Sequence, residues 1–147
     1  MKKILVPTDF SKNALNATRY AIQVANQFGS TIMLLHTYEV QATTGTFIAI
    51  ENYIKGEAKK AMTALIEKIG PELKNGASLK SEIFNGSPIS AIPRVAVNYD
   101  LVIMGTQGAT GLLETFIGST ASGVINRCKK PVLVIPNEAE YKPLSNI

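Results

Sequence analysis

A single cysteine, Cys128, a single histidine, His36, and the lack of any long apolar run bound this 147-residue chain before its contents are read. One cysteine rules out an internal disulfide framework and any multi-cysteine metal site. His36 follows apolar residues in a strand-like run and has no neighbouring cysteine or second histidine, so it reads as a structural histidine rather than a catalytic base or metal ligand. No stretch approaches the roughly 20 apolar residues of a membrane span. The opening MKKILVPTD lacks a signal-peptide core, and a cytoplasmic protein that does not engage membranes is expected. Also missing are a GxxxxGK(S/T) loop, the HRD and DFG kinase motifs, and any lysine or arginine from residue 101 to 126. Fast phosphoryl transfer ordinarily uses such cations to stabilise developing charge.

What is present suits one domain over residues 1–147: 46% hydrophobic, 18% charged and a mean hydropathy of +0.12, too apolar for disorder. The net charge of +4 is spread along the chain. Only Arg127, Lys129 and Lys130 cluster, at a helix end where the dipole favours cations, so no basic stripe for nucleic acid is expected. Cys128, beside those lysines, reads as a partly buried small residue.

Strand-like and helix-like segments alternate. Residues 4–6 form a short buried run stopped by Pro7. Ser11 is placed to cap a helix over 12–28, whose apolar positions recur at helical spacing and which Gly29 ends. Residues 31–37 read as a strand, 51–69 as a helix closed by Gly70 and Pro71, and 79–84 as an edge strand interrupted by Lys80 and Glu82. Ser87 and Pro88 open another helix, but Pro93 five positions on predicts a kink or a late start. A strand at 101–104, a helix at 118–127 and a strand at 131–135 complete the pattern. Such alternation implies parallel pairing through right-handed crossovers, hence an α/β fold with helices on both faces of the sheet, a three-layer sandwich.

The least ordinary segment is GTQGATGLLETFIGST, residues 105–120, between a strand and a helix. Glycines there permit positive φ and close backbone approach, and the following helix N-terminus offers N–H donors that suit phosphate. Ser119 and Thr120 add hydroxyls, while Glu114 is the one charged residue of the loop and opposes an anion unless it faces solvent or meets a cation. By themselves such loops often make only tight turns.

The spacing of Gly105, Gly108 and Gly118–Ser119, with KKILVPTDFS, LLHTY, LVIMG and KPVLVIP in the same order, resembles the universal stress protein family over residues 2–136. That resemblance implies a five-stranded parallel sheet in the order 3-2-1-4-5 and, in motif-bearing members, a site for ATP or a related adenine nucleotide such as AMP or ADP, alone or with Mg²⁺. In this order the first and fourth strands are neighbours whose connections leave in opposite directions, which opens a crevice at their carboxyl ends. Pro7, Thr8 and Asp9 lie at one of those ends, Met104 and Gly105 at the other. Carried over from the family, Pro7, Asp9 and Thr37 (through its backbone) hold adenine and ribose, Met104 packs on the base, Gly105 approaches the ribose, and Gly108, Gly118, Ser119 and Thr120 cradle phosphate. Plainer readings stand beside these: Asp9 as a polar residue near a helix start, Met104 as core.

The function expected is a non-catalytic, adenine-nucleotide-binding stress or signalling switch, dimeric through residues 131–135. Two alternatives remain: a slow ATPase or self-phosphorylating protein using Asp9 with Mg²⁺ and Ser119 or Thr120 as acceptor, and a dimeric interaction module without nucleotide.

Overall fold

The computed structural model describes residues 1–40, 47–107 and 117–143. Strand β1 (Lys3–Pro7) leads into helix α1 (Lys12–Phe28), followed by β2 (Thr31–Tyr38), α2 (Phe47–Ile69), a 3-10 turn at Gly70–Glu72, β3 (Ser78–Asn85), α3 (Pro88–Ala96), β4 (Leu101–Gly105), α4 (Ser119–Arg127) and β5 (Val132–Ile135). The strands form one parallel sheet in the order β3-β2-β1-β4-β5, the order that the family resemblance implies.

Local signals explain most boundaries. Ser11 Oγ accepts the Ala14 N–H at 3.1 Å, and Gly29 ends α1 in the left-handed region at φ 65°, donating its N–H to Ala25. α2 begins four residues ahead of the expected residue 51. Its first turns carry the exposed Ile48, Ile50 and Tyr53, so apolar residues there follow no buried stripe and the sequence periodicity fades. α3 starts at Pro88 and runs unbroken past Pro93, which corrects the expectation of a late start. Ala91, Ile92 and Ala96 are buried, and that packing offsets the hydrogen bond Pro93 cannot donate. Ser87 occupies the N-cap position, but its carbonyl rather than its side chain receives the first helical N–H groups.

Alternation along the strands sends side chains to two cores. Ile4, Val6, Ile32, Leu34 and Ile103 pack with Ala17, Ala21, Ile22 and Ala25 of α1 and Met62 of α2. Leu5, Leu35, Val102 and Met104 pack on the opposite face against Ile92 and Ala96 of α3 and Ala121 and Val124 of α4. Each fully buried Leu or Ile contributes about 1.5–3 kcal/mol relative to exposure. The result is the three-layer sandwich, with the carboxyl ends of β1 and β4 side by side and their following helices on opposite faces.

Candidate functional site

At that switch point lies a cleft of about 520 Å³, within the size range of small-molecule sites. Leu35, Ile92, Met104 and Ile117 give it an apolar wall, and Thr8, Asp9, Thr106, Ser119 and Thr120 a polar one. Nine of the ten residues singled out in the sequence border it: Pro7, Thr8, Asp9, Thr37, Met104, Gly105, Gly118, Ser119 and Thr120. Gly108, and with it Glu114, lies outside the described residues. Asp9 is the one charged side chain among the described residues of the lining.

One end of the cleft is built by the start of α4. Gly118 is its N-cap and has no side chain to satisfy the first turn, so no side-chain oxygen competes for the N–H groups that follow. Its own N–H donates to the Thr106 carbonyl at 2.6 Å, and its carbonyl accepts from Ser122. The donors left at this end are those of Ser119 and the residues after it, at the positive end of the helix dipole. Gly118 has φ −64° and ψ 165°, an extended conformation open to any residue. No left-handed turn therefore calls for glycine at this position, unlike the general expectation for this loop.

The other rim is a strained turn. Phe10 adopts φ 64° without being glycine, a conformation that costs about 1–3 kcal/mol unless its surroundings enforce it. They do: its N–H meets Thr8 Oγ1 at 3.1 Å, its ring lies 4.5 Å from that of His36, and His36 Nδ1 contacts the Thr8 carbonyl at 2.8 Å. Because a carbonyl only accepts, Nδ1 carries the proton. His36 is thus the structural residue its strand position indicates. The turn leaves Asp9 exposed at the cleft, with Oδ1 accepting the Ser11 N–H at 3.0 Å. Met104 is both wall and core, 5% exposed and packed in the α3–α4 cluster.

The universal stress protein family profile matches residues 1–136. The chain belongs to the universal stress protein family. Universal stress protein MJ0531 of Methanocaldococcus jannaschii is 32% identical over 141 residues, 91% of this chain and 81% of the relative. MJ0577 of the same organism is 30% identical over 152 residues, 91% of this chain and 94% of its own length. Its solved structure superimposes with a TM-score of 0.80 at 31% identity, covering 91% of this chain and 94% of that one. A universal stress protein of Archaeoglobus fulgidus, solved in complex with dAMP, shares the fold with a TM-score of 0.65 at 23% identity over 91% of this chain and 97% of its own.

Within this universal stress protein, one buried, multiply hydrogen-bonded side chain beside the cleft is not among those singled out. Asn13, on the first turn of α1, is 5% exposed. Its Oδ1 accepts the Gln107 N–H at 3.0 Å, and its Nδ2 donates to Asn137 Oδ1 at 2.6 Å, with a longer 3.4 Å approach to Thr106 Oγ1. The backbone donor fixes which end of the amide is oxygen. A Cβ built on Gly105 would collide with that same Oδ1, so helix α1 approaches β4 at Gly105 more closely than alanine permits. Gly105 thus has a packing reason beside the ligand role carried over from the family. Among the described residues no three His, Cys, Asp or Glu side chains gather to hold a metal, and no helix is long and apolar enough to cross a membrane.

Proposed function

We propose that this cleft binds an adenine nucleotide, ATP or its di- or monophosphate, and that the protein is a non-catalytic binding switch. The observation that carries the reading is the first turn of α4, without a side-chain cap, opening with Ser119 and Thr120 onto a cleft that Leu35, Ile92 and Met104 also line. A flat base suits the apolar side made by Leu35, Ile92 and Met104, and phosphate oxygens suit converging backbone donors and hydroxyls. In the Archaeoglobus fulgidus relative the same fold accommodates dAMP. Asp9 is the carboxylate available to meet a ribose hydroxyl, or a Mg²⁺ carried in on the phosphates.

Binding is favoured over turnover because residues 101–126 contain no lysine or arginine and the described lining contributes none. Developing charge on a transferred phosphoryl group would find only dipoles there. The exposed edge of β5 makes a homodimer the natural partner state, as argued below.

Native mass spectrometry of the purified protein, followed by calorimetric titration of the nucleotide-free form with ATP, ADP and AMP with and without Mg²⁺, tests this. A co-purifying adenine nucleotide, or saturable one-to-one binding, is expected. No binding under any of these conditions overturns the reading and favours the interaction-module alternative; rapid phosphate release would favour an ATPase.

A further inference from the structure

Two amides on α1 hold the chain as it leaves β5. Asn16 Nδ2 donates to the Pro136 carbonyl at 3.0 Å, and Asn13 Nδ2 donates to Asn137 Oδ1 at 2.6 Å. Farther along, Tyr141 stacks edge-on against Tyr20 with ring centres 5.3 Å apart, and its hydroxyl donates to Gln27 Oε1. Residues 136–141 therefore form a strap along α1. Asn13 joins the strap to the cleft, because its other end grips the N–H of Gln107, a residue of the cleft lining just after β4.

We infer that Asn13 is a positioning residue that couples occupancy of the cleft to docking of the C-terminal strap. The inference rests on the nucleotide reading above and deepens it by naming how the site is regulated. The physical argument is one of a shared, buried hydrogen-bonding group. Asn13 is almost fully buried between three elements, so losing one partner leaves a polar atom poorly satisfied and frees the amide to rotate. When Asn137 holds Nδ2, Oδ1 is aimed at the Gln107 N–H and fixes that backbone at the rim of the cleft. When the strap leaves, that orientation is no longer enforced and the Gln107 N–H at the rim of the cleft loses its fixed acceptor. Linkage then requires the converse, that a ligand fixing Gln107 strengthens the strap. Asn137 does not line the cleft, so an effect of its side chain on affinity has to travel through Asn13.

The test uses full-length protein and ATP. Asn137 is exposed, and Asn137→Ala is expected to fold normally while weakening ATP binding about three- to tenfold by calorimetry, the effect of one net hydrogen bond. In Asn13→Ala the additional change Asn137→Ala should have no further effect on affinity. Hydrogen exchange supplies a second readout: ATP should slow exchange of the amides at 138–141 in the wild type and not in Asn13→Ala. Wild-type ATP binding with an unchanged affinity in Asn137→Ala and no protection of 138–141 overturns the coupling alone. Absence of ATP binding in the wild type overturns both the coupling and the nucleotide reading.

Discussion

The Gly118 N–H donates to the Thr106 carbonyl at 2.6 Å, pinning the start of the glycine-rich loop to its end beside the cleft. This bond decides what Gly118 contributes. Its N–H is already committed and its dihedral angles are ordinary, so what a side chain would add at this rim is the feature to test. Gly118→Val should therefore fold, since valine accepts φ −64° and ψ 165° readily, with a melting temperature close to that of the wild type. ATP affinity should fall by at least about tenfold, or about 1.4 kcal/mol, as the branched side chain enters the cleft. Unchanged affinity in calorimetry would place the phosphates away from the start of α4.

Gly105 makes the opposite case, in which glycine is required by packing. A Cβ there would sit 2.9 Å from Asn13 Cγ and 3.2 Å from the Asn13 carbonyl oxygen. Gly105→Ala should cost about 1–3 kcal/mol, the usual penalty of overpacking. Chemical denaturation of Gly105→Ala, Asn13→Ala and the double variant checks the cause. If the clash with the Asn13 side chain dominates, the double variant is less destabilised than the sum of the two single variants. Strict additivity would move the strain elsewhere.

Asp9 separates ligand from turn. Its exposed carboxylate bonds one backbone N–H, that of Ser11, an interaction worth about 0.5–1.5 kcal/mol at most. Asp9→Ala should accordingly melt within a few degrees of the wild type and lose affinity for ATP. A large fall in melting temperature with intact affinity would assign Asp9 to the turn alone.

How far the sequence carried the reading depends on how local each cause is. Ser11 and Gly29 delimit α1 correctly because a cap and a left-handed glycine act within a few residues. The cleft rims were visible because the strand ends and the start of α4 carry short, contiguous signals at Pro7–Asp9, Met104–Gly105 and Gly118–Thr120. Asn13 was not visible, since its partners Thr106 and Asn137 lie 93 and 124 residues away and nothing local marks it. Phe10 is equally silent: no residue type announces a left-handed phenylalanine, whose conformation is held by His36 and Thr8. Pro93 misled because helix rules weigh the missing N–H and ignore the buried Ala91, Ile92 and Ala96 that keep α3 docked.

Asp100 gives a pH signature at the end of the sheet opposite the cleft. Its Oδ2 accepts the N–H groups of Lys3 and Lys2, each at 2.9 Å, and these bonds hold its carboxyl below the ordinary value. A folded-state pKa below the unfolded one means that the stabilisation is complete above the unfolded value and is lost as pH falls through the folded one. Asp100→Asn should be less stable than the wild type in urea at pH 6, and the difference should shrink below about pH 4 as the wild-type carboxylate takes up its proton. A difference independent of pH would mean that the carboxylate charge contributes nothing there.

Among the described residues β5 pairs only with β4, in the register Val102↔Val132 to Gly105↔Ile135, and the Val102 N–H donates to the Pro131 carbonyl at 2.9 Å. In a parallel ladder that bond directs the backbone groups of residues 131, 133 and 135 toward β4 and those of Val132 and Val134 outward. A two-fold axis beside β5 would let these outward groups pair with their copies in an antiparallel arrangement, limited to a few residues by Pro131 and Pro136. The Val134 side chain itself packs into the core formed with α3 and α4, so a lysine there would damage the monomer as well as any interface. Val134→Pro is the sharper probe: it removes an outward N–H that β4 does not use and keeps an apolar side chain of similar bulk. Sedimentation at micromolar concentration should show a dimer for the wild type and a shift to monomer for Val134→Pro, with the far-ultraviolet spectrum preserved. A wild-type monomer, or a dimer untouched by the proline, would mean that β5 is not the seam, and the nucleotide cleft at β1 and β4 would stand independently of that result.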